Sequence, residues 1–128
     1  MTRYLIDTHT AMWFFNGDLR LSKTANEIIY DFSNHIYMSI ASAWEVAIKL
    51  SIGKLDIVNN TADFLRDAET SKIIILPISP ASLTVLEKLP MIHRDPFDRL
   101  LIATAIAEQM TLVTDDENIQ KYEVSQIW

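Results

Sequence analysis

The sequence predicts an α/β fold: three layers, α/β/α, around a central parallel sheet of four or five strands. Three observations lead there. Short apolar runs alternate with longer helix-like stretches, the order that favours parallel strands joined by helical crossovers. Four carboxylates, Asp7, Glu45, Asp98 and Asp116, stand at the ends of predicted strands or the starts of predicted helices. With 49% hydrophobic residues and only two glycines in 128, the chain reads as one compact domain spanning residues 1–128.

The elements follow in order. Tyr4 to Asp7 is a short buried strand, and Thr8 to Phe15 starts a helix that ends in the turn Asn16-Gly17-Asp18. Ser22 is an N-cap for a helix running through Ile28, Ile29 and Phe32. Ile36 to Ile40 is the second strand, leading into a helix through Ile52 that Gly53 ends. Asn59-Asn60-Thr61 breaks the chain before a helix carrying Phe64, Leu65 and Ala68. Ile73 to Leu76 is the third strand, stopped by Pro77. Ser79-Pro80 is a cap and first-turn pair for a helix that ends before Pro90. Asp95 to Gln109 is the most apolar helix, and Thr111 to Thr114 the fourth strand. A short helix after Asp116 and a last strand near Val124 to Ile127 complete the domain.

In an open parallel sheet, strand C-termini and the loops and helix starts after them converge on one crevice. Asp7, Glu45, Asp98 and Asp116 delivered there would form a hard, oxygen-rich pocket suited to Mg²⁺ or Mn²⁺. Without a cation the cluster is unfavourable. Two carboxylates about 4 Å apart repel by roughly 4 kcal/mol at an effective dielectric constant near 20, so some would bind protons instead. The pattern points to metal-assisted chemistry on phosphate.

Each acid also has a structural explanation. Asp7 and Asp116 suit N-cap positions, and Asp115 competes with Asp116 for any special role. Ser42-Ala43-Trp44-Glu45 matches a capping box, with Lys49 four residues on in the favourable ion-pair orientation. Asp95-Pro96-Phe97-Asp98 is a cap, a first-turn proline and an acid at the third helical position, with Arg99 placed to pair with Asp95. None of these explanations accounts for four acids at the same end of one sheet. Among the other residues, His9 could orient a water or ligand beside Asp7, His93 could support the acidic helix, and His35 reads as loop. Trp13, Phe14, Phe15 and Trp44 read as core or dimer surface. Arg94, Arg99, Lys49 and Lys54 are the bases expected near the crevice.

Composition narrows the function classes. Without cysteine there is no disulfide framework or thiolate metal site, which fits a reducing cytoplasm. The run before Asp7 is too short for a signal-peptide core, and no uncharged apolar stretch approaches the ~20 residues needed to cross a membrane. A net charge of −6 argues against tight, non-specific nucleic-acid binding by a monomer, since phosphate neutralisation supplies most of such affinity.

The order and surroundings of the acids resemble a known family, the PIN-domain ribonucleases, and within it the VapC-type toxins of bacterial toxin–antitoxin pairs. The resemblance spans the chain: LIDTHTAMWFF, MSIASAWEVAIKLSIGKL, LPMIHRDPFDRLLIATA and LVTDDENIQKY. The paired DPFDR element is the most specific of these. It implies a PIN-like fold, with Asp7, Glu45, Asp98 and Asp116 as the metal-site acids. Thr8 and Thr114 would be neighbouring hydroxyls and Asp95 an accessory acid. The chain departs from the family at Thr114-Asp115-Asp116, where a basic or small residue is common in the middle. The departure leaves both aspartates in contention for the fourth ligand position. The resemblance further implies an endoribonuclease, a homodimer, and a small antitoxin that blocks the crevice. A single-stranded or looped RNA suits the site, because splayed strands reach a crevice more easily than a duplex.

Two other classes make different demands. A phosphotransfer or receiver domain would need a second Asp beside Asp7 or a Lys soon after the fourth strand. Asp7-Thr8-His9 lacks the first, and Lys121 is the first lysine after that strand. A catalytically silent PIN-like binding module would keep the fold without a specific metal site.

Overall fold

The computed structural model describes residues 2–128. Within them the chain runs β1 (Arg3–Ile6), α1 (Thr8–Asn16), α2 (Lys23–Tyr30), β2 (His35–Ser39), α3 (Ile40–Ser51) and α4 (Thr61–Thr70). It continues through β3 (Ile74–Leu76), α5 (Pro80–Lys88), α6 (Pro96–Glu108), β4 (Thr111–Val113), α7 (Glu117–Gln120) and β5 (Gln126–Ile127). All strand pairs are parallel, in the order β3-β2-β1-β4-β5. The five-stranded parallel sheet between helical layers matches the predicted fold class.

Each core strand feeds two cores because successive side chains point to opposite faces. Ile6 and Val113 join Met12, Ile29, Met38, Val46 and Phe64 on the side of α1 to α4. Their neighbours Leu5 and Leu112 join Leu101, Ile102, Ile119 and Tyr122 on the side of α6 and α7. A strand buried on both faces has no polar alternation, which is why Tyr4-Leu5-Ile6 reads as an unbroken apolar run.

Local chemistry sets the boundaries. Asp7, Ser22, Asn60, Ser79, Asp95 and Asp116 each cap the helix they precede through a side-chain oxygen. Gly53, at φ +70°, occupies the left-handed region just past α3, where a side chain would be strained.

Three local expectations change. α2 stops at Tyr30, two residues early: Asp31 is extended and the Asn34 side chain donates to the Ile28 carbonyl, so Phe32 is left 76% exposed. The last strand is Gln126–Ile127 rather than four residues. The cap of α3 is Ser39, whose hydroxyl accepts from the Ala41 amide at 3.0 Å. Strand β2 passes straight into α3, so Ser42 lies inside the helix and cannot form the predicted capping box.

Strand order reverses at β1. From there the chain builds outward through β2 and β3 on one side and returns through β4 and β5 on the other. Ile6 lies opposite both Met38 and Val113. The residues just past these strands, Asp7 and Thr114, therefore meet at a topological switch point, the usual ligand crevice of such sheets.

Candidate active site

Asp7 is pinned from two elements. Its Oδ1 accepts from the Thr10 amide at 2.9 Å, capping α1, and its Oδ2 accepts from the Thr114 hydroxyl across the β1–β4 junction. Thr114 also receives the Asp116 amide at 3.1 Å, so one buried hydroxyl couples two acids. Burial raises the Asp7 pKa above the ordinary carboxylate value, opposed by the hydrogen bonds from Thr10 and Thr114 and by nearby His9.

Glu45 comes from the second turn of α3 and is 5% exposed. Thr8 Oγ1 donates to its Oε1 at 2.7 Å, and Lys49 Nζ donates to Oε2 at 2.8 Å, the i,i+4 pair expected from the sequence. Thr8 Oγ1 also lies 2.9 Å from Ser42 Oγ. Ser42 thus stands beside Thr8 and Glu45 rather than capping α3. Its signal in the sequence is its position three residues before Glu45, one turn away on the same helix face.

Asp98 enters from α6. This helix precedes β4 and runs antiparallel to it, so its N-terminus lies at the C-terminal edge of the sheet. Asp95 caps it, with Oδ1 accepting from the amides of Phe97 at 2.8 Å and Asp98 at 3.2 Å. The Asp98 side chain is 17% exposed. Its pKa is pushed up to about 7, first by burial and then by the negative charges of Asp95, Asp116, Glu45 and Asp7. Every acid in the expected set therefore acts on Asp98. His93 Nε2 sits 3.2 Å from Asp98 Oδ2, a contact that is an ion pair only when the ring is protonated.

Asp116 caps α7 through the amides of Asn118 and Ile119, at 2.8 and 3.3 Å. Asp115 is exposed. Both line a cleft of about 160 Å³ with Asp7, His9 and Trp13. A larger cleft of about 360 Å³, beside Phe14, Tyr30, Phe32 and Lys72, contains Asp67 as its one acid.

The expected bases divide. Lys49 reaches Glu45, whereas Arg94 and Lys54 are exposed and make no ion pair among the described residues. Arg99 does not pair with Asp95. It is 8% exposed, and its guanidinium turns to the Leu89 and Pro90 carbonyls and to the Tyr122 hydroxyl. That hydroxyl also accepts the amides of Ile92 and His93, at 3.2 and 2.9 Å. Arg99 and Tyr122 together hold the loop that leads to His93 and Asp95. No local pattern announces Tyr122 as a partner of residues about thirty positions earlier.

Known proteins share this arrangement of chain. Ribonuclease VapC22 from Mycobacterium tuberculosis is 29% identical over 130 residues, covering 95% of this chain and 93% of that one. Among solved structures, VapBC2 from Rickettsia felis, bound to a DNA fragment from its promoter, aligns with a TM-score of 0.73 and 17% identity. That alignment covers 98% of both chains. DNA-bound VapBC from Salmonella typhimurium aligns with a TM-score of 0.70 and 13% identity, over 100% of this chain and 98% of that one. The PIN-domain sequence pattern matches residues 4–124, and the chain belongs to the PIN-domain family.

Proposed function

We propose that this protein is a metal-dependent endoribonuclease, the toxin of a toxin–antitoxin pair, that cleaves RNA phosphodiester bonds at Asp7, Glu45, Asp98 and Asp116. One observation carries the reading: the negative charges of Asp116, Glu45 and Asp7, brought from other elements, and of Asp95, which caps the same helix, all bear on the Asp98 carboxyl. The names of its relatives, a VapC ribonuclease and VapBC complexes, support it.

The donor set fits Mg²⁺ or Mn²⁺, because all four groups are hard carboxylate oxygens and, among the described residues, Lys49 against Glu45 is the one lysine or arginine paired with any of them. A divalent cation held there would supply Lewis-acid stabilisation of phosphate charge and an acidified water. The protein's part is preorganisation. Thr10 and Thr114 fix both oxygens of Asp7, and Thr8 and Lys49 fix both oxygens of Glu45. Asp95 locks the first turn of α6 that carries Asp98. Asp116, half-buried, tied through its amide to the Thr114 hydroxyl and among the charges that raise the Asp98 pKa, is a better fourth ligand than exposed Asp115.

The partners follow from the surface. An acidic crevice suits a small antitoxin that inserts an Arg or Lys. Ile40, Trp44 and Ile48 along α3, with Ile52 just past its end, leave an exposed apolar stripe at four-residue spacing, which supports a homodimer. No described helix is long and apolar enough to cross a membrane.

The test is incubation of purified protein with RNA, with and without Mn²⁺, beside an Asp7→Asn variant, with mapping of the product ends. Internal cuts made only by the wild type with metal support the reading. Metal-independent cuts made equally by Asp7→Asn would defeat it.

A further inference from the structure

The four-acid reading leaves His93 unused, yet its placement is tightly determined. Its backbone amide is held by the buried Tyr122 hydroxyl at 2.9 Å, and Arg99 fixes the same loop at Leu89 and Pro90. The loop therefore does not need the imidazole contact to stay in place. The ring nevertheless points at the site, with Nε2 3.2 Å from Asp98 Oδ2. Donor atoms of His93, Asp95 and Asp98 all lie within 4.8 Å of one another.

That spacing matters. Two neighbouring donors each about 2.1 Å from one ion stand about 3.0 Å apart in an octahedron and about 3.4 Å apart in a tetrahedron. The His93–Asp98 separation falls between these values, so the two atoms can share an ion with little movement. Asp95 retains capacity, since its Oδ1 serves the helix cap and its second oxygen makes no hydrogen bond within the described residues.

We infer that His93, with Asp95 and Asp98, forms a nitrogen-bearing cation position on the α6 side of the crevice that selects Zn²⁺ or Co²⁺ over Mg²⁺. Imidazole suits later first-row metals, whereas Mg²⁺ takes oxygen donors and keeps its waters. The inference rests on the acidic crevice being a metal site. It adds that the crevice is not chemically uniform: on the α6 side a nitrogen donor stands 3.2 Å from the Asp98 carboxylate. A chain whose acids alone bound metal would show no dependence of metal preference on His93.

The experiment is calorimetric titration of the full chain with Mg²⁺, Mn²⁺ and Zn²⁺, in wild type, His93→Gln and His93→Asn, after thermal melts confirm folding. The visible absorption of bound Co²⁺ is recorded alongside. Loss of about tenfold or more in Zn²⁺ affinity, with Mg²⁺ affinity changed less than about threefold and a shifted Co²⁺ spectrum, is the expected result. An unchanged Zn²⁺ to Mg²⁺ ratio and an unchanged Co²⁺ spectrum overturn the inference and leave the four-acid reading intact. Absence of any metal binding by the wild type overturns both.

Discussion

Replacing Asp98 with Asn should abolish cleavage yet stabilise the metal-free protein. The Asp98 pKa rises from 3.8 to about 7 on folding. The native protein therefore binds more protons than the unfolded chain between those values, and its stability falls as pH rises through that window. The penalty is absent below about pH 4 and complete above about pH 7. A shift of about three units corresponds to a ceiling of about 4 kcal/mol. With the side chain 17% exposed, water screens part of this, so about half is a realistic value. Losing a negative charge near a helix N-terminus costs roughly 0.3–1 kcal/mol. The net gain at pH 8 is then about 1–1.7 kcal/mol, or roughly 4–6 °C for a chain of this size.

The assay is a set of thermal melts of both proteins in EDTA from pH 4 to 8, repeated with Mn²⁺. The difference between variant and wild type should be near zero at pH 4 and grow with pH. Adding Mn²⁺ should close the gap, because a ligand at one hundred times its Kd stabilises the native state by about 2.7 kcal/mol, and the variant has lost a ligand. A variant that melts lower than wild type at pH 8 in EDTA, with the same metal response, would show that Asp98 is only part of a helix cap.

Further outcomes follow from the same contacts. EDTA treatment and Asp7→Asn should each reduce RNA cleavage by about a hundredfold or more, measured by initial rates on a fluorescent RNA. Thr114→Val should destabilise the fold by roughly 1–3 kcal/mol in urea melts and lower activity, since it strands Asp7 Oδ2 and the Asp116 amide together. Tyr122→Phe removes the acceptor for Arg99, Ile92 and His93. It should cost about 2–4 kcal/mol, and faster amide exchange at Ile92 and His93 would locate the loss. A structure of the complex with the antitoxin should show an Arg or Lys within hydrogen-bonding reach of Asp7, Glu45, Asp98 or Asp116; a crevice with no basic side chain from the partner would contradict this.

Much of this molecule is written locally. The apolar runs at Leu5-Ile6 and Leu112-Val113, the caps at Asp7, Ser22, Ser79, Asp95 and Asp116, and the stop at Gly53 each depend on a few adjacent residues. Backbone propensity and capping act over one turn, so a linear reading recovers them. The Glu45–Lys49 pair is legible for the same reason, being a contact across one helical turn. Where local signals compete, the longer-range one wins: Ser42 satisfies a capping pattern, but the strand runs into the helix three residues sooner and Ser39 takes the cap.

Other features needed the chain to close on itself. Asp7 and Thr114 are 107 positions apart and meet only because β1 and β4 pair in register. Arg99 had an acid four residues before it, yet α6 buries its guanidinium, where loop carbonyls and Tyr122 satisfy it. The proximity of His93 to Asp98 depends on that distant tyrosine as well. The residue types and their places at element ends were set by the sequence. Which of them meet, and with what charge left unbalanced, was decided by sheet order and burial, because electrostatic repulsion and desolvation act through space rather than along the chain.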